Sequence, residues 1–226
     1  AVSLLLAAAL LLEPGAARAD AAAACRAASG AAAIEPCQAA LKADRDDLDS
    51  GFKLAWALLG HNQESDGIAV FRTLAEEHPE DRRTHFNLAG ALASVSAYKD
   101  AKEPILRALE LDAIEWEIQK LAAAIFLNNR DYGPAHEMHR KLAASGDRTA
   151  MFDLAEDYAL GRGTGYDQPR ARHWYEEAAR SGHVGAMTVL AAKLESGAFG
   201  APKDPEGAAY WRQQASETAR GLPGWE

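Results

Sequence analysis

The chain has 226 residues and a formal net charge of −9, with 33 acidic against 24 basic side chains. That length is enough for one elongated domain with a continuous core. The acidic balance argues against a nucleic-acid partner, because phosphate binding needs a net basic surface, and abundant alanine with few β-branched residues favours helix.

Val2 to Leu12 is almost wholly apolar and is broken by Glu13-Pro14-Gly15, after which Ala17-Arg18-Ala19 offers small residues at both positions that a signal peptidase reads. Residues 1–19 read as a truncated secretory signal cleaved before Asp20, which makes the mature protein periplasmic or secreted. The apolar run is short of the ~20 residues that span a bilayer. A basic leading segment and an initiator Met are lacking, so the expectation is that the chain starts inside the signal. Cleavage removes one acid and one base, Glu13 and Arg18, and leaves the net charge unchanged. Two other readings stay open: an apolar first helix of the fold, and a lipoprotein acylated at Cys25. Against the second, Ala22-Ala23-Ala24 puts no Leu ahead of that cysteine.

Residues 20–47 hold the two cysteines, Cys25 and Cys37, 12 residues apart. With an export signal, an even count reads as one disulfide. Ser29-Gly30 supplies a turn between two helical segments that together would cap the fold, and a loop of this length would contribute about 2–3 kcal/mol. Two buried free thiols are the alternative. The spacing and the lack of further thiols exclude a CxxC redox site and a zinc site.

From Leu48 onward the pattern repeats. Leu54-Ala55 returns as Leu88-Ala89 and Ala122-Ala123 at steps of 34 residues, a period that means stacked helix pairs. The first unit, 48–81, has Leu54, Ala55 and Leu58 on one helix and Ile68, Phe71 and Leu74 on the next, with Pro79 closing it. The second, 82–115, has Asn87-Leu88-Ala89, Leu92, Tyr98, Ala101, Ile105 and Ala108-Leu109. The third, 116–149, has Ala123, Phe126, Tyr132 and Ala135, with Asn129-Arg130-Asp131 as its polar turn. Each helix thus carries one apolar stripe. On these residues, 48–149 resembles three tetratricopeptide repeats, with small residues at Ala89, Ala101 and Ala108 and an aromatic at Tyr98; Ala113 stands where that family closes on Pro.

Near Ala150 the period lengthens. Gly161 returns as Gly197 after 36 residues, and Ala171, Trp174 and Ala178 return as Ala208, Trp211 and Ala215 after 37. Together with Gly163, Asp167, Gly182, Gly200 and Asp204, these residues make 150–222 resemble two Sel1-like repeats. Gly161 and Gly197 are expected to end helices in the left-handed conformation. Asp204-Pro205-Glu206 is a helix start, with a cap, a first-turn Pro and an acid at the positive end of the dipole. The Trp and Ala positions are expected to pack the second helix of each pair onto the first. Residues 223–226 form a short tail with Trp225. The resemblance implies an all-α fold, a right-handed solenoid of antiparallel helix pairs.

Three motifs suggest chemistry, and the repeat explains each. Ser96-Ala97-Tyr98-Lys99 fits S-x-x-K but falls on a hairpin turn with no K-T-G to follow. His136 and His139 share a helix face at i and i+3, with no third ligand suggested, and are expected on a partly exposed repeat helix. Gly161-Arg162-Gly163-Thr164-Gly165 follows no strand and leads to no Gly-Lys-Ser/Thr. No catalytic residue, metal or cofactor is expected.

By the resemblance, the first helix of each tetratricopeptide-like unit lines a concave face. Its groove positions are Asp49, Phe52, Trp56 and Leu59, then Arg83, Phe86, Gly90 and Ala93, then Glu117, Lys120, Ala124 and Leu127, with Asn128 beside them. Candidate partner-binding residues are Phe52, Trp56, Leu59, Arg83, Phe86, Lys120 and Asn128, because large aromatics not needed for packing serve as anchors. Phe52 and Trp56 have a second reading, as packing under the Cys25–Ala43 cap. The Lys clamp by which some relatives hold a C-terminal carboxylate is absent, since Phe52 and Phe86 occupy two of its places and only Lys120 remains. The expected function is a non-catalytic periplasmic scaffold that binds a protein or peptide in envelope assembly or signalling. An accessory or enzyme acting on cell wall or polysaccharide, and a lipid-anchored scaffold, are the alternatives.

Overall fold

The computed structural model describes residues 14–199 and 202–221. The expected signal sequence up to Glu13, Gly200, and the tail with Trp225 lie outside the described residues. Within them the secondary structure is helical, with no strand. The helices form consecutive packed pairs in two compact units, which divide between Leu111 and Asp112.

The first unit holds three hairpins: α1 (Pro14–Ala27) with α2 (Ile34–Ala43), α3 (Leu48–Leu59) with α4 (Glu64–Glu77), and α5 (Arg82–Ser94) with α6 (Tyr98–Leu111). A short 3-10 turn, Gly30–Ala33, joins α1 to α2. Asp47 and Asp81 start α3 and α5 by accepting hydrogen bonds from the N–H groups of Ser50 (3.1 Å) and of Arg83 and Thr84 (2.8 and 3.1 Å). Each such cap satisfies donors that a helix start leaves open, worth about 1 kcal/mol. Cys25 and Cys37 form a disulfide, with Cα atoms 4.6 Å apart, inside a core with Ala33, Ala40, Leu54, Ala57 and Leu58. The first hairpin therefore covers the apolar face of α3. Lys53 also donates to the Arg26 carbonyl at the end of α1, and Arg18 reaches both the Ala43 carbonyl and Asp44.

The second unit also holds three hairpins: α7 (Trp116–Asn128) with α8 (Tyr132–Ala144), α9 (Arg148–Leu160) with α10 (Gln168–Arg180), and α11 (Val184–Ser196) with α12 (Pro205–Ala219). Side chains of Glu115, Asp147, Asp167, His183 and Asp204 cap α7, α9, α10, α11 and α12. Gly161 and Gly197 end α9 and α11 at φ +67° and +75°, as their sequence positions require.

The 34-residue period is visible in the backbone. The hairpin turns place Asn62, Ser96 and Arg130, each 34 residues from the next, at φ +59°, +61° and +62°. The loop from α9 to α10 differs because Gly163, at φ +68°, lies against the start of α8. A Cβ there would sit 2.1 Å from the Tyr132 carbonyl oxygen. Of the expected packing aromatics, Trp174 is only half-buried. Its neighbour Tyr175 is fully buried, because the sequence offers adjacent aromatics and the helix turns the second one inward.

Candidate functional site

In the first unit, α3 and α5 carry the expected groove residues, and the structure draws several into one cluster. Fully buried Phe71 of α4 forms its base. The Phe52 ring lies 6.2 Å from it, and the Trp56 ring meets it edge-on at 5.4 Å. Arg83 lies over Phe52, its guanidinium carbon 5.4 Å from the ring centroid, and pairs with Asp49 at 3.1 Å. The Trp56 indole N–H donates to Asn87 Oδ1 at 2.9 Å, and Asn87 in turn donates to the Arg83 carbonyl at 2.8 Å. Trp56 nevertheless stays 41% exposed.

Phe52 and Trp56 thus use part of their surface on Phe71, and each keeps an outward part. An aromatic pair of this kind contributes about 0.5–1.5 kcal/mol beyond area burial. Phe86 is half-buried on α5. Leu59 is half-buried and faces α4, its Cγ 2.9 Å from where a Cβ on Gly67 would lie, so it belongs to the hairpin's own packing. Asn87 and Phe71 complete the cluster. The sequence marked them only as a neighbour of Leu88-Ala89 and as a stripe residue, since their roles depend on contacts between separate helices.

In the second unit, Lys120 of α7 sits over the Trp116 ring at 4.4 Å and pairs with Asp147 at 3.3 Å. Asn128 is exposed and donates to the Ala124 carbonyl. Both residues line one cleft with Leu127, Asp153 and His139. Here the structure corrects the expectation for the His136–His139 pair. His139 is 3% exposed, and both imidazoles converge through Nδ1 on one oxygen of buried Asp157, at 2.8 Å from His139 and 3.2 Å from His136. The pairing with Asp157, 18 and 21 residues further on, is what turns this helix face inward. Among the described residues, no group of three or more His, Cys, Asp or Glu side chains is arranged to hold a metal ion. Burial, reinforced by Glu156, raises the Tyr175 hydroxyl well above its ordinary value, and Tyr175 donates a short hydrogen bond to Glu156. The buried tyrosine and the half-buried Glu156 carboxylate here satisfy one another.

Comparison with known proteins agrees with this helical architecture. Residues 149–183 and 185–217 match the Sel1 repeat. Those two stretches are Sel1 repeats, and the helical hairpins of the described residues have the fold of tetratricopeptide and Sel1-like repeat proteins. Over 87 residues, 38% of its length, it is 34% identical to an uncharacterized protein of Neisseria meningitidis serogroup B, and that match spans 17% of the relative. A Sel1 repeat protein from Oxalobacter formigenes is similar in structure, with a TM-score of 0.56 and 24% identity over 90% of this chain and 85% of that one. Pseudomonas aeruginosa pilF is similar too, with a TM-score of 0.65 and 17% identity over 92% of each chain. At these identities the likeness establishes the fold alone.

Sel1-repeat proteins generally mediate protein–protein interactions, and the fold is typically a non-catalytic scaffold. No helix among the described residues is long and apolar enough to cross a membrane.

Proposed function

We propose that this repeat protein is a non-catalytic scaffold, exported to the periplasm, that captures a protein partner on the aromatic cluster of α3 and α5. The observation that carries the reading is Trp56. Its ring is fixed edge-on by Phe71 and its N–H by Asn87, yet 41% of the residue faces solvent. An ordered, partly exposed tryptophan loses little conformational freedom on binding, which is why such residues dominate interface energetics. Phe86 and the Phe52–Arg83 stack extend the set of anchors on these two helices. The apolar N-terminal run and the cysteine pair support export, since disulfides persist in oxidising compartments.

Site-specific photocrosslinking in cells tests this reading. A photoreactive phenylalanine at Phe86 is expected to give a discrete protein adduct, and the same group at exposed Asp66 of α4 none. Equal adducts at both positions, or none at Phe86, would overturn it.

A further inference from the structure

The polar side chains that frame Trp56 on α3 and α5 are already engaged within the chain. Arg83 donates to Asp49 at 3.1 Å and to Asp81 at 3.3 Å. The Trp56 indole N–H is spent on Asn87, and the Asn87 amide donates to the Arg83 carbonyl. At the edges, Lys53 donates to the Arg26 carbonyl and Ser94 to the Ala91 carbonyl, both at 2.8 Å. The remaining groove positions, Phe52, Phe86, Gly90 and Ala93, have no polar side-chain atom.

Charge is accounted for in the same way. The Arg83 guanidinium lies between the Asp49 and Asp81 carboxylates and over the Phe52 ring. Its charge therefore calls for no opposite charge on a partner, and an uncharged surface is the complement of this face. The Arg83–Asp49 and Trp56–Asn87 contacts also tie α3 to α5. Turning these groups toward a partner would break both ties.

A bound segment brings its own backbone groups. Each N–H and C=O that it covers without a partner costs free energy. A helix pairs these groups within itself. An extended segment draws affinity from main-chain hydrogen bonds to its receptor, and the side chains that could make them here are spent. We infer that the segment captured on α3 and α5 is an amphipathic helix, which lays an uncharged apolar stripe over Trp56 and Phe86. The inference rests on the reading of the chain as a protein-binding scaffold, and it names the shape and chemistry of what that cluster takes.

The test uses the full chain and the adduct that a photoreactive phenylalanine at Phe86 forms in cells. That group reaches only the near face of the bound segment, and mass spectrometry assigns the linked positions. Links at i, i+3 and i+4 are expected, because those positions share a helix face. Links at i and i+2, the spacing of an extended strand, would overturn the inference. The linked segment is then synthesised and titrated against the parent chain, beside one variant with proline and one with alanine at a central polar position that does not link. Proline should weaken binding about tenfold or more, because it breaks a helix, and alanine should leave the affinity within about twofold. Equal affinities for the proline and alanine variants would also overturn it. An adduct at Phe86 with links at i and i+2 leaves the scaffold reading standing and removes the helix. No adduct at Phe86 removes both, so the two failures are distinguishable.

Discussion

The Trp56 indole donates to Asn87 Oδ1 across 2.9 Å and so ties α3 to α5, helices of successive repeats, at the partly exposed edge of the first unit. The bond does two things: it satisfies the indole N–H, and it fixes which edge of the ring meets solvent. Asn87→Ala should cost stability only about 1 kcal/mol or less, because water replaces the lost partner at this exposed site. Its effect on partner binding should exceed its effect on melting, because the anchor loses its orientation. Parallel thermal melts and binding titrations of this one variant check the difference.

Replacing the ring has a different signature. Trp56→Ala should weaken partner binding by about 2–4 kcal/mol, the range of an interface anchor, while the helical circular-dichroism signal stays unchanged. Trp56→Phe keeps the contact with Phe71 and loses the N–H, and should fall between Trp56→Ala and the parent.

The disulfide lies in the core that holds α1 and α2 on α3. Cys25→Ser with Cys37→Ser should lower the stability of the first unit by about 2–4 kcal/mol, with little effect on the second. Hydrogen exchange resolved by unit measures this. Thiol labelling of non-reduced protein should find no free cysteine.

Gly163 carries both a positive φ and a backbone contact that leaves no room for a Cβ. Gly163→Ala should therefore destabilise the α8–α9–α10 region by at least about 2 kcal/mol. Gly165→Ala nearby, where a Cβ meets nothing within 4 Å, should be nearly silent in the same melting assay.

His183 caps α11 by accepting from the Ala186 N–H at 3.0 Å, a role open only to a ring with a free nitrogen lone pair. Burial, then the charge of Arg148, holds its pKa below the ordinary 6.5. The unfolded chain then takes up the proton at a higher pH than the folded one. The stabilisation is complete above about pH 6.5 and is lost as pH falls below that value. His183→Asn keeps an acceptor that does not titrate. The melting temperature of that variant should gain on the parent between about pH 7 and pH 5.

The sequence carried the hairpins well because their signals are local. The Asp204-Pro205 start, the glycine ends of α9 and α11, and the turns at Ser96 and Arg130 each depend on a few adjacent residues. The binding cluster was legible only in part. Position in the repeat singled out Phe52, Trp56, Arg83 and Phe86, but not the support from Phe71 and Asn87. The convergence of His136 and His139 on Asp157 was hidden for the same reason, since it requires knowing how α9 lies on α8. Trp174 and Tyr175 show a finer difficulty, because adjacent aromatics differ by about 100° around a helix and a small rotation decides which one is buried.

The most direct test of the account is the affinity of the Phe86-crosslinked partner, once purified, for the parent chain and for the combined F52A, W56A and F86A variant. Saturable binding to the parent and a loss of about a hundredfold or more in the variant are expected, with helicity retained. Affinities within about twofold of each other would contradict it.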